Sequence, residues 1–330
     1  MKLINQHKII NALFLSIAVS VSSCDSILDE DSLPTSGKSI ELSFTRGYEN
    51  STLEDNSYFR IAFFTGEEYT PFFSTNQLQG INTYTTDAYD TGVPYPSNNV
   101  HAVGYAPSDS INLSKDQKTL ELKFDNTAGT TDVRASQTIT GNSNSHFSKE
   151  SPMKFEHLLT KVTFYAKRDY TMQYSKLVHD VKVTLGSSYL VKEWKYKNGG
   201  SYAAVVNTDS PQNLELHIPN QYLTDIDTEY FIGTCYLNMP TNNEGKLSFG
   251  LEAILTPTET TENIQSDYGQ LDIQLMEDKD GGQQKVTEAK AGEAYEVVIN
   301  FTQNSFTLSG VKAPWKAGGL ITIPINPTNK

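Results

Sequence analysis

The residues with the clearest chemical potential in this chain are Val-Ser-Ser-Cys at positions 21–24. An aliphatic residue, two small residues and a cysteine form the pattern that lipoprotein signal peptidase recognises, after which the cysteine carries lipid. The run Ile9–Val21 before it is apolar, follows Lys2 and Lys8, and is too short for a membrane span, which is typical of a signal peptide. We expect lipid on Cys24; the alternative is an ordinary secretory signal in which this cysteine is incidental.

The segment after Cys24 is acidic. Residues 25–31 read Asp-Ser-Ile-Leu-Asp-Glu-Asp, and residues 32–38 are rich in Ser, Pro, Gly and Thr. Together they resemble the tether of Bacteroidota lipoproteins, in which acidic residues favour export to the outer face of the outer membrane. The resemblance implies an outer-membrane lipid anchor at the cell surface; a solvated linker with no targeting role is the alternative.

Few other residues could carry catalysis or bind a metal. The six histidines show no metal-ligand spacing, and zinc-peptidase, nucleophile-elbow and phosphate-loop motifs are absent from the sequence. We expect Cys235 to be a small core residue and His157 a hydrogen-bonded structural histidine. The run 277–282 lacks two ligands of a calcium loop counted from Asp278, which predicts an exposed acidic turn. We therefore expect no enzyme, no metal and no cofactor.

The charge of the chain argues against nucleic acid as a partner. The chain has 26 basic and 39 acidic residues and a net charge of −13, and loss of residues 1–23 takes away Lys2 and Lys8 to leave −15. A phosphate-binding face needs clustered basic side chains, and none is evident.

The elements that hold these residues are expected to be β-strands. Aromatic residues make up 11% of the chain, and apolar residues alternate with polar ones in short runs between Gly-, Asn- and Asp-rich turns. A period of two is typical of strands with one face on a core. The alternation is clearest at 40–44, 120–124, 162–166, 181–185, 214–218, 247–251 and 295–301. Many such strands predict an all-β protein built from antiparallel β-sandwiches.

We expect two sandwich domains in tandem. Residues 127–152 are rich in Gly, Ser, Thr and Asn and poor in large apolar residues, which favours a boundary there. The expected division is a lipoprotein signal peptide at 1–23, an acidic tether at 24–38, an N-terminal β-sandwich at 39–150 and a C-terminal β-sandwich at 151–330. The alternative is a long loop inside one larger domain.

Several stretches, taken in order, resemble the fimbrillin-like family of Bacteroidota, the subunits of type V pili. The resemblance lies in the strand Ile40–Arg46 with its Thr-Arg end, the aromatic strand 59–64, the motif Phe155-Glu-His-Leu-Leu-Thr-Lys-Val-Thr-Phe164, the stretch Gly292–Tyr295, and Trp315-Lys-Ala-Gly-Gly319. It covers nearly the whole chain after residue 23, except that residues 65–100 do not align.

The resemblance implies a pilus subunit that serves adhesion, with other pilus subunits and a host or bacterial surface ligand as partners. In this family a trypsin-like protease removes the first strand, and a strand of another subunit fills the acceptor groove of the N-terminal sandwich. The matching positions are Arg46 and Gly47 at the cut and, in the displaced strand, Ile40, Leu42 and Phe44.

The donor strand is expected near the C-terminus, where three isoleucines alternate with other residues: Ile321, Ile323 and Ile325. Pro324 cannot donate a hydrogen bond to a ladder, so this segment could equally be the last strand of the second sandwich.

A glycan-binding role is the alternative function. Tyrosines at positions 58, 69, 84, 89, 95 and 105 could stack on sugars, as in a monomeric surface lipoprotein that binds glycan. Ordinary aromatic packing in strands explains the same residues. Trp194 and Trp315 are too far apart in sequence to indicate a binding platform.

Overall fold

The computed structural model describes residues 38–46, 58–67, 70–76, 78–79, 89–107, 112–113, 120–123, 128–147, 153–172, 176–197, 201–206, 213–257, 262–303 and 305–315. Almost all regular structure in these ranges is β-strand, which confirms the predicted all-β class. Two single-turn 3₁₀ helices, Tyr170–Met172 and Ser187–Tyr189, are the helical elements there, and neither is long or apolar enough to cross a membrane.

The first half of the chain contributes twelve strands: β1 (Ser39–Leu42), β2 (Phe44–Arg46), β3 (Tyr58–Thr65), β4 (Thr70–Ser74), β5 (Leu78–Gln79), β6 (Tyr89–Pro94), β7 (Val100–Ala106), β8 (Asn112–Leu113), β9 (Leu120–Lys123), β10 (Arg134–Ser136), β11 (Ile139–Gly141) and β12 (Met153–His157).

The second half contributes twelve more: β13 (Thr160–Arg168), β14 (Lys176–Leu185), β15 (Val191–Lys197), β16 (Ser201–Val206), β17 (Leu214–His217), β18 (Tyr230–Leu237), β19 (Lys246–Pro257), β20 (Ile264–Gln274), β21 (Met276–Lys279), β22 (Gly282–Lys285), β23 (Ala294–Phe301) and β24 (Phe306–Ala313).

The alternation of apolar and polar residues is what makes these segments strands. In β19 the side chains of Leu247, Phe249 and Leu251 are buried, whereas the residues between them are partly exposed. Strand β19 thus presents one face to a core and one to solvent, whereas β7 is buried on both faces. The acidic run 277–282 is the turn of the β21–β22 hairpin, where Asp280 and Gly281 both have positive φ, as a two-residue type I′ turn requires.

The described strands pair into five sheets. A two-stranded sheet joins β1 to β6, and a larger one has the order β2-β12-β10-β7-β3-β4, with β11 beside β7 and β5 beside β3. The others have the orders β18-β13-β23-β24-β21-β22, β17-β14-β19-β20 and β16-β15-β9-β8. Most pairs are antiparallel as expected, but β2–β12, β13–β23 and β21–β24 are parallel. Two parallel neighbours need a long crossover connection, and the two strands of each of these pairs are accordingly far apart in sequence.

Two large hydrophobic cores lie between the sheets. The first core contains Ile40, Leu42, Phe59, Met153 and Phe155 among others, and the rings of Phe59 and Phe155 meet edge to face at 5.4 Å. The second core lies between the β13 and β19 sheets, where the rings of Phe164 and Phe249 meet at 5.3 Å. A third, smaller cluster packs Phe64, Val103 and Tyr105 of the first large sheet against Leu159 and Val191.

The expected division at residue 150 stays a prediction, and three strand pairings bear on it. Strands β10 and β11 lie within the stretch 127–152, and both pair with β7. Strand β12, which follows that stretch, pairs with β10 and β2 and so belongs to the first large sheet. The chain passes to the next sheet between His157 and Thr160. A further sheet pairs β9 with β15, and the described residues belong to one compact unit.

Candidate functional site

The first described segment, residues 38–46, is divided between two sheets. Strand β1 pairs antiparallel with β6, and after Ser43 the chain enters β2, which pairs parallel with β12. In the described residues β1 has β6 as its one partner, and β2 is the end strand of its sheet. The segment can therefore leave both sheets without breaking a ladder between other strands.

The side chains of this segment nevertheless reach the middle of the first core. Ile40 and Leu42 are completely buried, in the same cluster as Phe59, Tyr95 and Met153. Complete burial of an aliphatic side chain stabilises by about 1.5–3 kcal/mol, so the two residues together contribute roughly 3–6 kcal/mol. That is a large share of the net stability of an ordinary domain, about 5–15 kcal/mol.

Backbone and polar contacts keep the segment in register. The N–H of Met153 donates to the carbonyl of Ser43 at 2.8 Å, and the N–H of Tyr95 donates to the carbonyl of Lys38 at 3.3 Å. On β6, a hydrogen bond from Ser39 lowers the pKa of Asp90. Each of the two backbone hydrogen bonds contributes about 0.5–1.5 kcal/mol, which is less than the burial of either aliphatic side chain.

Residues expected to act in processing fall partly within the described ranges. Arg46 is the last residue of β2 and stands opposite Phe155, and Phe44 stands opposite Met153. Cys24, Gly47 and the three isoleucines Ile321, Ile323 and Ile325 lie outside the described residues. The lipid site, the cut and the donor strand all stay predictions.

A buried polar cluster lies beside this segment. Arg134 donates from Nε and Nη2 to Asp132 Oδ2 at 2.9 and 2.7 Å, and His157 Nδ1 donates to Asp132 Oδ1 at 2.8 Å. Burial raises the pKa of the Asp132 carboxyl, but the hydrogen bond from His157 and the charge of Arg134 outweigh it and hold that pKa below its ordinary value. His157 is thus hydrogen-bonded and structural, as expected.

Trp315 completes the cluster. Its ring lies on that of His157 with centroids 3.8 Å apart, has Tyr236 at 6.1 Å, and is only 7% exposed. Sequence reasoning found His157 and Trp315 as separate motif residues but missed Asp132 and the contact. The spacing of Asp132 and Arg134, two residues apart in a strand-like stretch, is the signal that could have placed both on one face.

A second cluster, around His179, contains the residue types of a catalytic triad, but its hydrogen bonds are those of a structural cluster. His179 Nδ1 contacts Asp180 Oδ2 at 2.5 Å, and its Nε2 contacts Thr256 Oγ1 at 3.1 Å. The Thr256 hydroxyl donates to Asn263 Oδ1 at 2.7 Å, so its proton points away from the histidine. Asp180 also accepts the backbone N–H of Asn220 at 2.8 Å. The cluster therefore fixes a loop and leaves the hydroxyl without a base.

Cys235 and potential metal ligands were the remaining candidates for chemistry. Cys235 is completely buried, and burial raises the pKa of its thiol, so it is the expected core residue. Among the described residues, no group of three or more His, Cys, Asp or Glu side chains could hold a metal ion.

The four described tyrosines among those considered for sugar stacking differ widely in exposure. Tyr95 and Tyr105 are 3% and 2% exposed, whereas Tyr58 is 45% exposed. Tyr89 is half-buried opposite Leu42. Tyr69 and Tyr84 lie outside the described residues.

No family model matches this chain, and no curated protein matches it. Solved structures do match. A fimbrial protein from Bacteroides vulgatus is 15% identical with a TM-score of 0.48, over 83% of this chain and 98% of that chain. A fimbrilin from Porphyromonas gingivalis is 9% identical with a TM-score of 0.47, over 84% and 97%. A Bacteroides thetaiotaomicron protein described as a candidate for polysaccharide binding is 13% identical with a TM-score of 0.48, over 84% and 96%. The structural neighbours of this chain are thus fimbrial proteins and candidate cell adhesion or polysaccharide-binding proteins of Bacteroidota, at identities that concern the fold alone.

Proposed function

We propose that this chain is a structural subunit of a cell-surface pilus that serves adhesion and assembles by exchange of strands between subunits. One observation carries the proposal: the segment 39–46 lies at the edge of two sheets yet supplies the completely buried Ile40 and Leu42. A segment so placed can be removed without disrupting other strand pairs, and its removal leaves a site that must be refilled.

The site left by removal has two components. Apolar pockets open where Ile40 and Leu42 were, and the strands β6 and β12 each lose a partner. Exposed apolar surface and an unpaired strand edge both favour the addition of a strand from another chain. Because the donor and acceptor are different surfaces, such contacts are heterologous, and they build a filament of repeated subunits.

Processing at Arg46 fits this arrangement, because that residue ends β2. In the proposed pathway the chain is exported as a lipoprotein, Cys24 anchors it in the outer membrane, and a protease that cuts after Arg releases the first strand with its lipid. A stretch near the C-terminus then supplies the donor, with Ile321, Ile323 and Ile325 as the side chains that fill the pockets.

Limited digestion with trypsin tests the proposal. The product is examined by N-terminal sequencing and by gel electrophoresis without boiling, which preserves strand-exchanged oligomers. We expect a new terminus at Gly47 and a ladder of stable oligomers. The variant Arg46→Gln should give neither, while Arg46→Lys, which trypsin still cuts, should give both.

A cleaved product that stays monomeric would contradict the proposal. An uncleaved monomer that binds oligosaccharides, with affinity lost in Tyr89→Ala, would instead support the glycan-binding alternative.

A further inference from the structure

A pocket of about 260 Å³ lies at one end of the second core. The 3₁₀ helix Tyr170–Met172, strands β19 and β20, and the turn between β23 and β24 supply its lining. Strand β13 begins just after β12, and its last residue, Arg168, stands opposite Phe301 at the pocket. The pocket therefore lies at the end of β13 that is remote from β12, and a change in its lining should leave the segment 39–46 in place.

A bulge in β20 turns two side chains into this pocket. The register of β19 against β20 shifts near Gly269, whose φ of +69° favours glycine. An extra residue in a strand reverses the face that the side chains beyond it take. After the bulge Leu271 and Ile273 pack on the second core, whereas before it Ser266 and Tyr268 line the pocket.

Hydrogen bonds fix the opposite side of the pocket. In the turn between β23 and β24 the N–H of Thr302 donates to the carbonyl of Ser305 at 2.9 Å. The N–H of Gln303 donates to Thr171 Oγ1 at 3.0 Å, which joins this turn to the 3₁₀ helix. These contacts make the pocket preformed, as sites for small molecules usually are.

The lining combines an apolar floor with polar groups. Met172 and Phe301 are each only 1% exposed and supply the floor. The ring of Tyr268 packs edge to face on Phe306 with centroids 4.9 Å apart. The hydroxyl of Ser266 is hydrogen-bonded to that of Tyr268, and each hydroxyl can form a further hydrogen bond. Every described side chain in the lining is uncharged, so an ion bound there would lose water without gaining a partner of opposite charge.

The ligand that fits this lining is a neutral sugar. A sugar ring has apolar C–H faces and hydroxyls at its edge, which match an aromatic wall beside hydroxyl and amide groups. The volume lies just below the range of about 300–1,000 Å³ that is usual for pockets of drug-sized ligands, so there is room for one ring. We propose that this pocket binds one ring of a neutral glycan and supplies the adhesive contact of the subunit. The adhesive role rests on the proposed function, whereas the binding can be measured on single subunits.

Methionine methyl NMR tests the binding, because Met172 lines the pocket and Met153 lies in the first core. The full chain, labelled with carbon-13 at its methionine methyls, is titrated with the methyl glycosides of glucose, galactose, mannose and fucose. At least one should shift the Met172 signal, which Met172→Leu identifies, and none should shift that of Met153. The expected dissociation constant is about 1–10 mM, the range for a ligand of roughly a dozen heavy atoms.

Two further ligands test the chemical class. Glucuronic acid adds a charge to the same kind of ring, and glycerol has hydroxyls but no ring. Both should bind more weakly than the best neutral glycoside.

Variants of the lining locate the site. Tyr268→Phe and Gln303→Ala each remove one hydrogen-bonding group and should weaken binding about two- to tenfold. Thr307→Ala is the matched control, because this exposed residue lies on the same hairpin and outside the lining. It should leave the affinity unchanged, as should Tyr89→Ala in the first half of the chain.

The outcomes separate this inference from the proposed function. The sugar site would be overturned by a Met172 signal that none of the four glycosides shifts, by equal or tighter binding of glycerol or glucuronic acid, or by unchanged affinity in both Tyr268→Phe and Gln303→Ala. A normal trypsin ladder without sugar binding would overturn this inference alone. Sugar binding without a ladder from cleaved wild-type protein would overturn the proposed function and the adhesive role with it, while the sugar site would stand.

Discussion

The substitution Leu42→Ala measures how much the first segment contributes to the fold. Leu42 is completely buried in the first core, and alanine lacks three of its side-chain carbons. Their transfer to water costs about 2.4 kcal/mol at roughly 0.8 kcal/mol each. The cavity left among neighbours such as Phe59 and Met153 adds to this, so the expected loss is about 2–5 kcal/mol.

Urea unfolding of the chain with Cys24 replaced by Ala, so that no lipid is attached, is the assay. The midpoint should fall in Leu42→Ala while the slope stays constant, since a change of slope would indicate a change in the surface exposed on unfolding. Glu41→Ala is the matched control: it lies on the same strand, and its contact with Lys38 is a 3.8 Å surface ion pair worth little. An equal loss of unfolding free energy in the two variants would refute the reasoning, because it would mean that burial of Leu42 does not stabilise the first core.

Further predictions concern three other sites in the molecule. Asp132→Ala should cost about 3–5 kcal/mol in urea unfolding at pH 7, because it leaves Arg134, whose side chain is only 14% exposed, without its ion-pair partner. The pKa of Asp132 in the folded protein lies below its ordinary value of 3.8. The stabilisation from the ionised carboxylate is therefore complete above pH 3.8 and is lost as the pH falls through the lower, folded-state pKa. The stability difference between wild type and Asp132→Asn should accordingly shrink below about pH 4. Gly104→Ala should lower the thermal midpoint by the equivalent of about 1–3 kcal/mol, because a Cβ there would lie 2.3 Å from the Phe155 ring. The thiol of Cys235 should react with a disulfide reagent at pH 8 only after unfolding, because it is completely buried and burial raises its pKa.

Sequence alternation predicted strand positions well because it reports burial directly. Leu247, Phe249 and Leu251 alternate in the sequence and are the buried residues of β19. The same signal fails where strands are short and carry few large apolar residues. Residues 127–152 suggested a boundary because they are rich in Gly, Ser, Thr and Asn, yet the short strands β10 and β11 form there and pair with β7.

The sequence pattern does not identify which strands are neighbours in a sheet. Period two gives the face of a strand but carries no information on its neighbour, so the parallel contact of β2 with β12 could not be read from residues 44–46. The cluster of Asp132, His157 and Trp315 was missed for the same reason, since its members are distant in sequence and only the strand order unites them. The resemblance supplied the residues of the candidate site, and the alternation at 40–44 predicted that one face of the strand is buried. The structure shows Ile40 and Leu42 completely buried.

The pairing of β2 with β12 also has a consequence for the order of folding. Phe44 stands opposite Met153, more than one hundred residues later in the chain. Contacts between such distant residues carry a large loop-closure cost and tend to form late. The first segment is synthesised before β12, so β2 cannot pair with its parallel neighbour until β12 has been synthesised. Because each of its two strands has a single partner among the described residues, the segment should also be among the first to open in the folded protein. Amide exchange in residues 39–46 should be faster than in β13 or β23, which have a partner on both sides.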